Sequence, residues 1–477
     1  MRRLVSVVVP LTCVLAAACS SASPAQSRPD AETSRSAASS PASSPTSRET
    51  TRPTSPGQRT GSAFTPWSTY HRTTSRSGHT DHAVGTPLVH AWTKGLGHAV
   101  YGEPLLVGST LIVATEGNRV YGLNARTGHV RWKKSLGTPQ PLGGLPCGNI
   151  DPLGITSTPA YDAGTGSVFA VAETVGGHHT LWALDAATGA KRWHRSLDLL
   201  PDRNRRAEQQ RAALLVAHGR VLVSFGGLAG DCDDYVGYVT STSVKGGGRT
   251  FHYAVPTARE GGIWATPGPG LGRNGHVYVA AGNGAEVNGR WDKSDSVTEL
   301  SGKRLIRRSV FAPATWKDDN ANDLDLGSMA PMSVPSVRRI VIAGKRGVVY
   351  LLREHFGGVG SAVAGRTGCR AFGGGARVGR TVLMPCLGEN QIRALRVGRS
   401  ELHWTWSADN VFGAPVIAGP RVYVADRYSG DLVVLRLSTG HAIQRIHAGD
   451  LPNFPSQIVD GGFVFVPTLT GITAFHD

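Results

Sequence analysis

Residues 120–132 read VYGLNARTGHVRW, and residues 181–193 read LWALDAATGAKRW. The copies share a Leu, a Thr-Gly step and a Trp four residues after the Gly. Fainter copies follow: LVVLRLSTGHAI (432–443) keeps Leu435, Thr439 and Gly440, and IRALRVGRSELHW (392–404) keeps Leu395 and Trp404. A motif that returns at this interval marks an array of supersecondary units rather than a single-copy fold.

The apolar runs before each copy set the unit. They are TLIVATE (110–116), SVFAVAE (167–173), RVLVSFG (220–226), HVYVAAGN (276–283), RIVIAGK (339–345), TVLMPCL (381–387), RVYVADR (421–427) and FVFVPTL (463–469). A second short run precedes most of them. The repeat Leu lies on a third, and a fourth often ends in Trp. Gly, Asp, Asn and Pro bound these runs, as in all-β proteins. Four strands in each of eight units predict an all-β, eight-bladed β-propeller of four-stranded antiparallel blades. The last unit stops one strand short. The segment LVHAWTKGL (88–96) is available to complete it, so that N- and C-terminal strands close the ring and leave no open edge. The Thr-Gly step is then the turn between third and fourth strands, with Gly at positive φ. Trp132, Trp193 and Trp404 are read as docking neighbouring blades.

The chain has 477 residues and a formal charge of +16, with 41 Arg and 9 Lys among its 50 basic residues. No dense basic cluster with interleaved aromatics is present, so the charge is read as dispersed, and nucleic acid is not an expected partner. Residues 1–19 combine a basic MRR, the apolar LVSVVVPLTCVL and AAAC, the pattern of a signal peptide. This end resembles a bacterial lipoprotein signal, which implies lipidation at Cys19. A plain secretory signal is the alternative, because Ala16 stands where Leu is usual. Residues 20–85, rich in Ser, Thr, Pro and Arg, are read as a disordered tether. The propeller is placed at 86–477. Past Cys19 four cysteines remain, Cys147, Cys232, Cys369 and Cys386, an even count that suggests two disulfides in an exported protein. All four fall in loops of the propeller end carrying the blade-to-blade connections, here called the top. Topology favours Cys147–Cys232 and Cys369–Cys386, with the other pairings open.

The repeat resembles that of pyrroloquinoline-quinone (PQQ) enzymes and their PQQ-like propeller relatives, over about residues 88 to 477. That family includes alcohol dehydrogenases and also propellers without quinone. The resemblance implies a site at the top face, where Glu116, Glu173, Asn283, Lys345, Asp426 and Thr468 end second strands. Within it Trp264 would form the quinone floor and Lys345 would contact the quinone. Asn283 and Asp231 would bind Ca²⁺, and Asp325 (or Asp323) would act as base. Such residues suit alcohol oxidation, which needs a base, a cation for the reduced oxygen and a hard metal on oxygen ligands. The departures are an Asp at best where the family has a Glu ligand, and no adjacent Cys-Cys pair.

Other signatures fail. Asp318, Asn320 and Asn322 have the spacing of a calcium loop, but its Gly and Glu are missing. His178 and His179 are read as solvated loop residues. GGGARVG (373–379) leads into a strand rather than a phosphate-binding helix. The first expectation is therefore an exported, lipid-anchored, monomeric PQQ-like propeller. It would act as a non-catalytic binding or scaffolding platform at the extracellular face, with a protein or cell-envelope ligand at its top. The alternative is a PQQ- and calcium-dependent dehydrogenase of the polyvinyl-alcohol type.

Overall fold

The computed structural model describes residues 63–477, so the signal peptide, Cys19 and most of the expected tether lie outside the described residues. The eight apolar runs all form second strands. Around them stand eight sheets: blade 1 (105–135), blade 2 (160–196), blade 3 (215–254), blade 4 (270–312), blade 5 (332–367), blade 6 (376–409), blade 7 (415–447) and blade 8 (458–476). Strands are counted here from the axis outward. Blade 8 takes its fourth strand from Val89–Gly95, which pairs antiparallel with Gly471–His476. The ring thus closes as the sequence predicts.

The opening motif joins blades. Gly128, Gly189 and Gly440 adopt φ of 70, 71 and 72° in the turns between third and fourth strands. The indole of the preceding blade lies flat over each turn. A Cβ on Gly189 would stand 2.4 Å from Trp132, and one on Gly440 would stand 2.4 Å from Trp406. Trp92 covers Gly128 in the same way and donates its N–H to Ala125 O, as Trp406 donates to Leu437 O. In blades 1, 2 and 6 the register of the fourth strand shifts by one residue next to this Trp, a bulge that adds twist where blades must splay. In blade 6 two indoles dock neighbouring blades: Trp406 covers the turn of blade 7, and Trp404 donates to Thr367 O of blade 5 and lies under the Arg393 guanidinium.

The buried side chains form layers between successive blades rather than one central core. Val168, Ala170 and Leu184 of blade 2 meet Ile112 and Val120 of blade 1, and Phe169 and Leu181 on the other face meet Val221 and Tyr238 of blade 3. Both faces of every blade are therefore covered, which is why the second strands read as unbroken apolar runs. The disulfides form as Cys147–Cys232 and Cys369–Cys386.

One assignment is overturned. Residues 63–85, expected within the disordered tether, are folded into the axis of the ring. Trp67, Tyr70, His71 and Arg76 are buried there. The segment bonds to the innermost parts of seven blades. Trp67 exchanges backbone hydrogen bonds with Leu106, and Ser68 O accepts from Tyr161 N. Arg76 donates to Leu214 O and Pro269 O. Ser77 O accepts from Arg377 N, and His79–Thr80 pairs parallel with Ile417–Ala418. Thr65 is held by Asp460 at the bottom of blade 8. Four aromatic rings (Phe64, Trp67, Tyr70 and His71) within one short stretch supply apolar surface that the Ser/Thr/Pro/Arg-rich chain before it lacks.

Glu103 holds this plug. Its carboxylate accepts from Trp67 Nε1 at 2.5 Å, from His71 N at 2.8 Å and from the Ser456 hydroxyl. Burial raises Glu103 to about 7 and lowers His71 to about 3. The neutral imidazole accordingly acts through hydrogen bonds to Gly375 O and Ser456 rather than as a cation.

Candidate functional site

The top-face polar residues divide into two groups. Glu116, Glu173 and Asp426 serve the fold. Glu116 accepts from Gly154 N at 2.7 Å, and burial lifts it to about 8. Asp426 accepts from Phe412 N and from the Ser429 hydroxyl. Glu173 meets His179 Nε2 at 3.2 Å, and Asp198 approaches the other ring nitrogen at 3.7 Å. His179 is therefore a buried strand residue and not the solvated loop residue expected. Desolvation opposes its charge, yet the carboxylates outweigh that and lift it to about 10. His178, the half-exposed partner on the same strand, bonds Asp198 at 2.9 Å.

The second group converges. Asp231, Trp264, Asn283 and Lys345 line one top-face cavity of ≈ 690 Å³, together with Glu260, Asp323, Arg211, Phe372 and Phe454. Glycines permit the approach of blades 3 and 4 here. A Cβ on Gly226 would lie 2.7 Å from that of Trp264, so only a bare backbone lets the indole reach the axis. The Cys147–Cys232 bridge ties down the adjoining wall, since Gly230 of that wall sits against Cys147 Sγ. Below, Tyr70 of the plug closes the floor: its hydroxyl lies against Gly374, beside Gly373, which packs on Phe454.

Lys345 Nζ stands 2.7 Å from Asp325 Oδ2, 2.5 Å from Asp323 Oδ1 and 5.9 Å from the Trp264 ring centroid. Burial disfavours its charge, but the two carboxylates hold it above the ordinary lysine range. Asp325 is not part of the cavity wall. It is buried behind Lys345, and desolvation raises it to about 6 despite the ammonium. Asp323, which the sequence offered as the alternative, is the residue that faces the cavity. Asp231 accepts from Tyr235 OH at 2.5 Å. Asn283 Nδ2 donates to Glu260 Oε2 at 3.3 Å, and Arg259 pairs with the same Glu260. Arg211 lies 5.0 Å over the Phe454 ring and donates to Asn453 O, while its Nε finds no acceptor.

Backbone strain gathers at this cavity. Asp231, Glu260, Asp323 and Phe454 all line it, and all take positive φ, at 46, 70, 52 and 57°. Such conformations cost roughly 1–3 kcal/mol each and persist where surrounding contacts impose them, often at binding sites.

The residues do not fit PQQ with Ca²⁺. Among the described residues no group of three or more His, Cys, Asp or Glu is placed to hold a metal ion. Asp318 and Asp319, in the stretch weighed as a calcium loop, lie on a helix over Trp316–Ala321, and both pair with Arg346. The rings next to Trp264 are Phe372 and Phe454, inclined to it at 54 and 50°, so no parallel pair flanks the indole to sandwich a flat tricycle. The proposed base lies outside the cavity, and the proposed quinone-binding lysine is neutralised by two carboxylates.

Sequence reasoning missed Glu260, Arg211, Phe372 and Phe454. They sit in blade-to-blade loops, where no periodicity constrains them. The only available signal is the position of Glu260 immediately before GGIW.

A family model described as outer membrane protein assembly factor BamB matches residues 81–312. No curated protein sequence matches the chain. Among solved structures, the quinohemoprotein alcohol dehydrogenase ADHIIG from Pseudomonas putida HK5 is similar with a TM-score of 0.66 at 15% identity, covering 86% of this chain and 80% of its own. A europium-containing methanol dehydrogenase gives 0.66 at 14%, covering 86% and 98%. BamB from Moraxella catarrhalis gives 0.56 at 15%, covering 82% and 100%. At these identities the likeness concerns the fold. Repeat, blade number and ring closure agree with it: the chain is an eight-bladed β-propeller whose fold is like that of these quinoproteins and of BamB.

Proposed function

We propose that the chain is a non-catalytic binding protein of the cell envelope, exported and tethered through its N-terminal segment, with the axial top-face cavity as its ligand site. The observation that carries this reading is how the cavity's charges are used. Lys345 is paired with Asp323 and Asp325, Arg259 with Glu260, and Asp231 with Tyr235. What remains for a ligand is the Arg211 guanidinium, which has no carboxylate partner among the described residues, and aromatic surface on Trp264, Phe372 and Phe454 beside the amides of Asn149, Gln209, Asn283 and Asn453. Aromatic faces flanked by fixed hydrogen-bonding groups suit a polyhydroxylated ring, so an envelope saccharide is the ligand class. The tightly paired Lys345 and the recessed Asp325 speak against proton abstraction from a bound alcohol, which needs a base within reach.

The test is calorimetric titration of residues 60–477 with cell-wall oligosaccharides and, separately, with PQQ and Ca²⁺. Saccharide binding that is lost in Trp264→Ala is expected. Saturable binding of PQQ that requires Ca²⁺ and disappears in Lys345→Ala would overturn the proposal in favour of the dehydrogenase reading. That reading draws its support from the convergence of Trp264, Asn283 and Lys345 on one cavity.

A further inference from the structure

The two ends of the propeller carry opposite charge. The turns of the bottom, which join first to second and third to fourth strands, hold nine Lys or Arg and two Asp or Glu. The loops of the top hold nineteen Asp or Glu and twelve Lys or Arg. The acidic loop residues are therefore sorted to the top, while the basic ones are shared between both ends, which leaves the bottom loops with a net positive charge.

At the bottom the charge is densest in an open pocket of ≈ 680 Å³ between blades 4, 5 and 6, lined by Arg273, Arg338, Arg339, Arg353 and Arg399. One carboxylate lies among these five guanidinium groups. It is Glu354, at 2.9 Å from Arg273 and 3.9 Å from Arg338. Arg339 is held by the backbone oxygens of Arg399 and Arg338. Arg353 and Arg399 are exposed and have no carboxylate partner among the described residues. A neighbouring cleft of the same face adds Arg396, Arg421 and Arg436.

Two further observations concern what covers this face. Large apolar side chains stand exposed at this end: Ile306 at 53%, with Val89, Val130 and Ile443 at the bottom ends of other blades. Ile306 adjoins Lys303 and Arg304 in one turn. In addition, the plug enters the axis from this end, because Thr65 is fixed by Asp460 where the first strand of blade 8 reaches the bottom. The first described residues therefore lie at the basic face.

We propose that the bottom face is a docking surface for an anionic lipid membrane, with the five-arginine pocket as its headgroup site. Guanidinium groups match phosphate geometry and bind it in pairs of hydrogen bonds. Exposed Ile and Val side chains between them enter the headgroup layer, which a soluble polyanion would leave in water. This orientation holds the axial cavity on the far side of the ring, open to ligands from outside. The inference is independent of what that cavity binds.

The experiment is co-sedimentation of residues 60–477, which contain every strand and both disulfides, with vesicles of phosphatidylcholine alone or mixed with phosphatidylglycerol. Binding to the mixed vesicles only, weakened by salt, is expected. The variant R273Q/R338Q/R353Q/R399Q should bind less tightly by about fivefold for each arginine removed. Circular dichroism of the variant confirms its fold, and a top-face control, R205Q/R206Q, should bind as the parent does. Substituting I306S/I443S should weaken the binding that survives high salt. Equal binding to both kinds of vesicle, or unchanged binding by the arginine variant, would overturn the proposal. So would capture by a soluble anionic wall polymer without binding to vesicles.

Discussion

Removing residues 60–85 deletes the segment that composition marks as tether and that the structure places in the axis. Trp67, Tyr70 and His71 are all at most 1% exposed. Truncating a buried Trp or Phe to Ala costs about 3–5 kcal/mol, so losing the Trp67 and Tyr70 rings together costs about 6–10 kcal/mol. Deletion also strips Glu103 of the Trp67 and His71 donors and leaves a buried carboxyl facing a void. A domain's whole stability is about 5–15 kcal/mol, so residues 86–477 are expected to be insoluble or to unfold at a small fraction of the parent's urea concentration. The milder Trp67→Phe keeps the ring and loses the indole N–H. It should cost about 1–3 kcal/mol, the penalty of leaving Glu103 Oε1 with one donor fewer. The assay is urea unfolding followed by circular dichroism for the 60–477 parent, Trp67→Phe and 86–477. Equal midpoints for the parent and for 86–477 would refute the account of the segment as a structural plug.

Three further outcomes follow from the geometry. Gly189→Ala must place a methyl 2.4 Å from Trp132 at a φ of 71°, and should lower stability by about 2–4 kcal/mol. Gly97→Ala, also at positive φ but with open space around it, should cost only the backbone strain of about 1–2 kcal/mol, and urea midpoints of the two variants compare them. The disulfides should differ in worth. Cys147–Cys232 closes a loop of 85 residues and Cys369–Cys386 one of 17, so chain entropy gives about 4.5 against about 3 kcal/mol, read from Cys→Ser pairs. Stability should peak in mild acid, near pH 4.5. Glu103 and Glu208, raised to about 7, and Glu116, raised to about 8, bind protons more tightly folded than unfolded, so stability falls as pH rises from about 4.5 through those values. His179, raised to about 10, contributes fully below about 6.5 and loses its contribution as pH rises through 10. His71, lowered to about 3, acts on the acid side, where stability is lost as pH falls from about 6.5 to 3. Thermal midpoints should therefore be highest near pH 4.5 and fall continuously from there to pH 9, with a loss below about 4.5 as His71 is protonated, and Glu116→Gln should flatten the alkaline limb.

The ring was legible because its signals are periodic. Every second strand is buried on both faces and reads as an apolar run, and the turn glycine and Trp recur because each blade repeats the same docking contact. Trp404, which keeps the sequence spacing of the motif, docks on blade 5, while the longer fourth strand of blade 6 puts Trp406 over the turn of blade 7, a second contact that only the pairing register reveals. The plug was hidden by averaging. Over residues 20–85 the composition is that of a linker, while its last third carries the aromatics that fill the axis. A single-copy segment has no repeat to announce it, and its burial depends on a channel that exists only once the ring has closed.

The site shows why strand ends alone do not reveal function. Each second strand delivers a side chain to the top of the axis, and the connections that follow decide its use. In blades 1 and 2 the next connections are the three-residue stretches 116–118 and 175–177, which turn back at once. Glu116 and Glu173 are then consumed by a neighbouring amide and a buried histidine. In blades 3 and 4 the corresponding loops run over 228–237 and 282–295, and a further long connection, 313–331, leads into blade 5. These loops rise above the ring, take up left-handed backbone at Asp231 and Asp323, and leave Asn283 and Lys345 facing an opening instead of a partner strand. The cavity is thus a product of loop length on one side of an otherwise regular ring. Of the residues named from the resemblance, Asp231, Trp264, Asn283 and Lys345 line the cavity and Asp325 does not, because the 313–331 connection turns Asp323 toward the cavity and buries its neighbour behind Lys345.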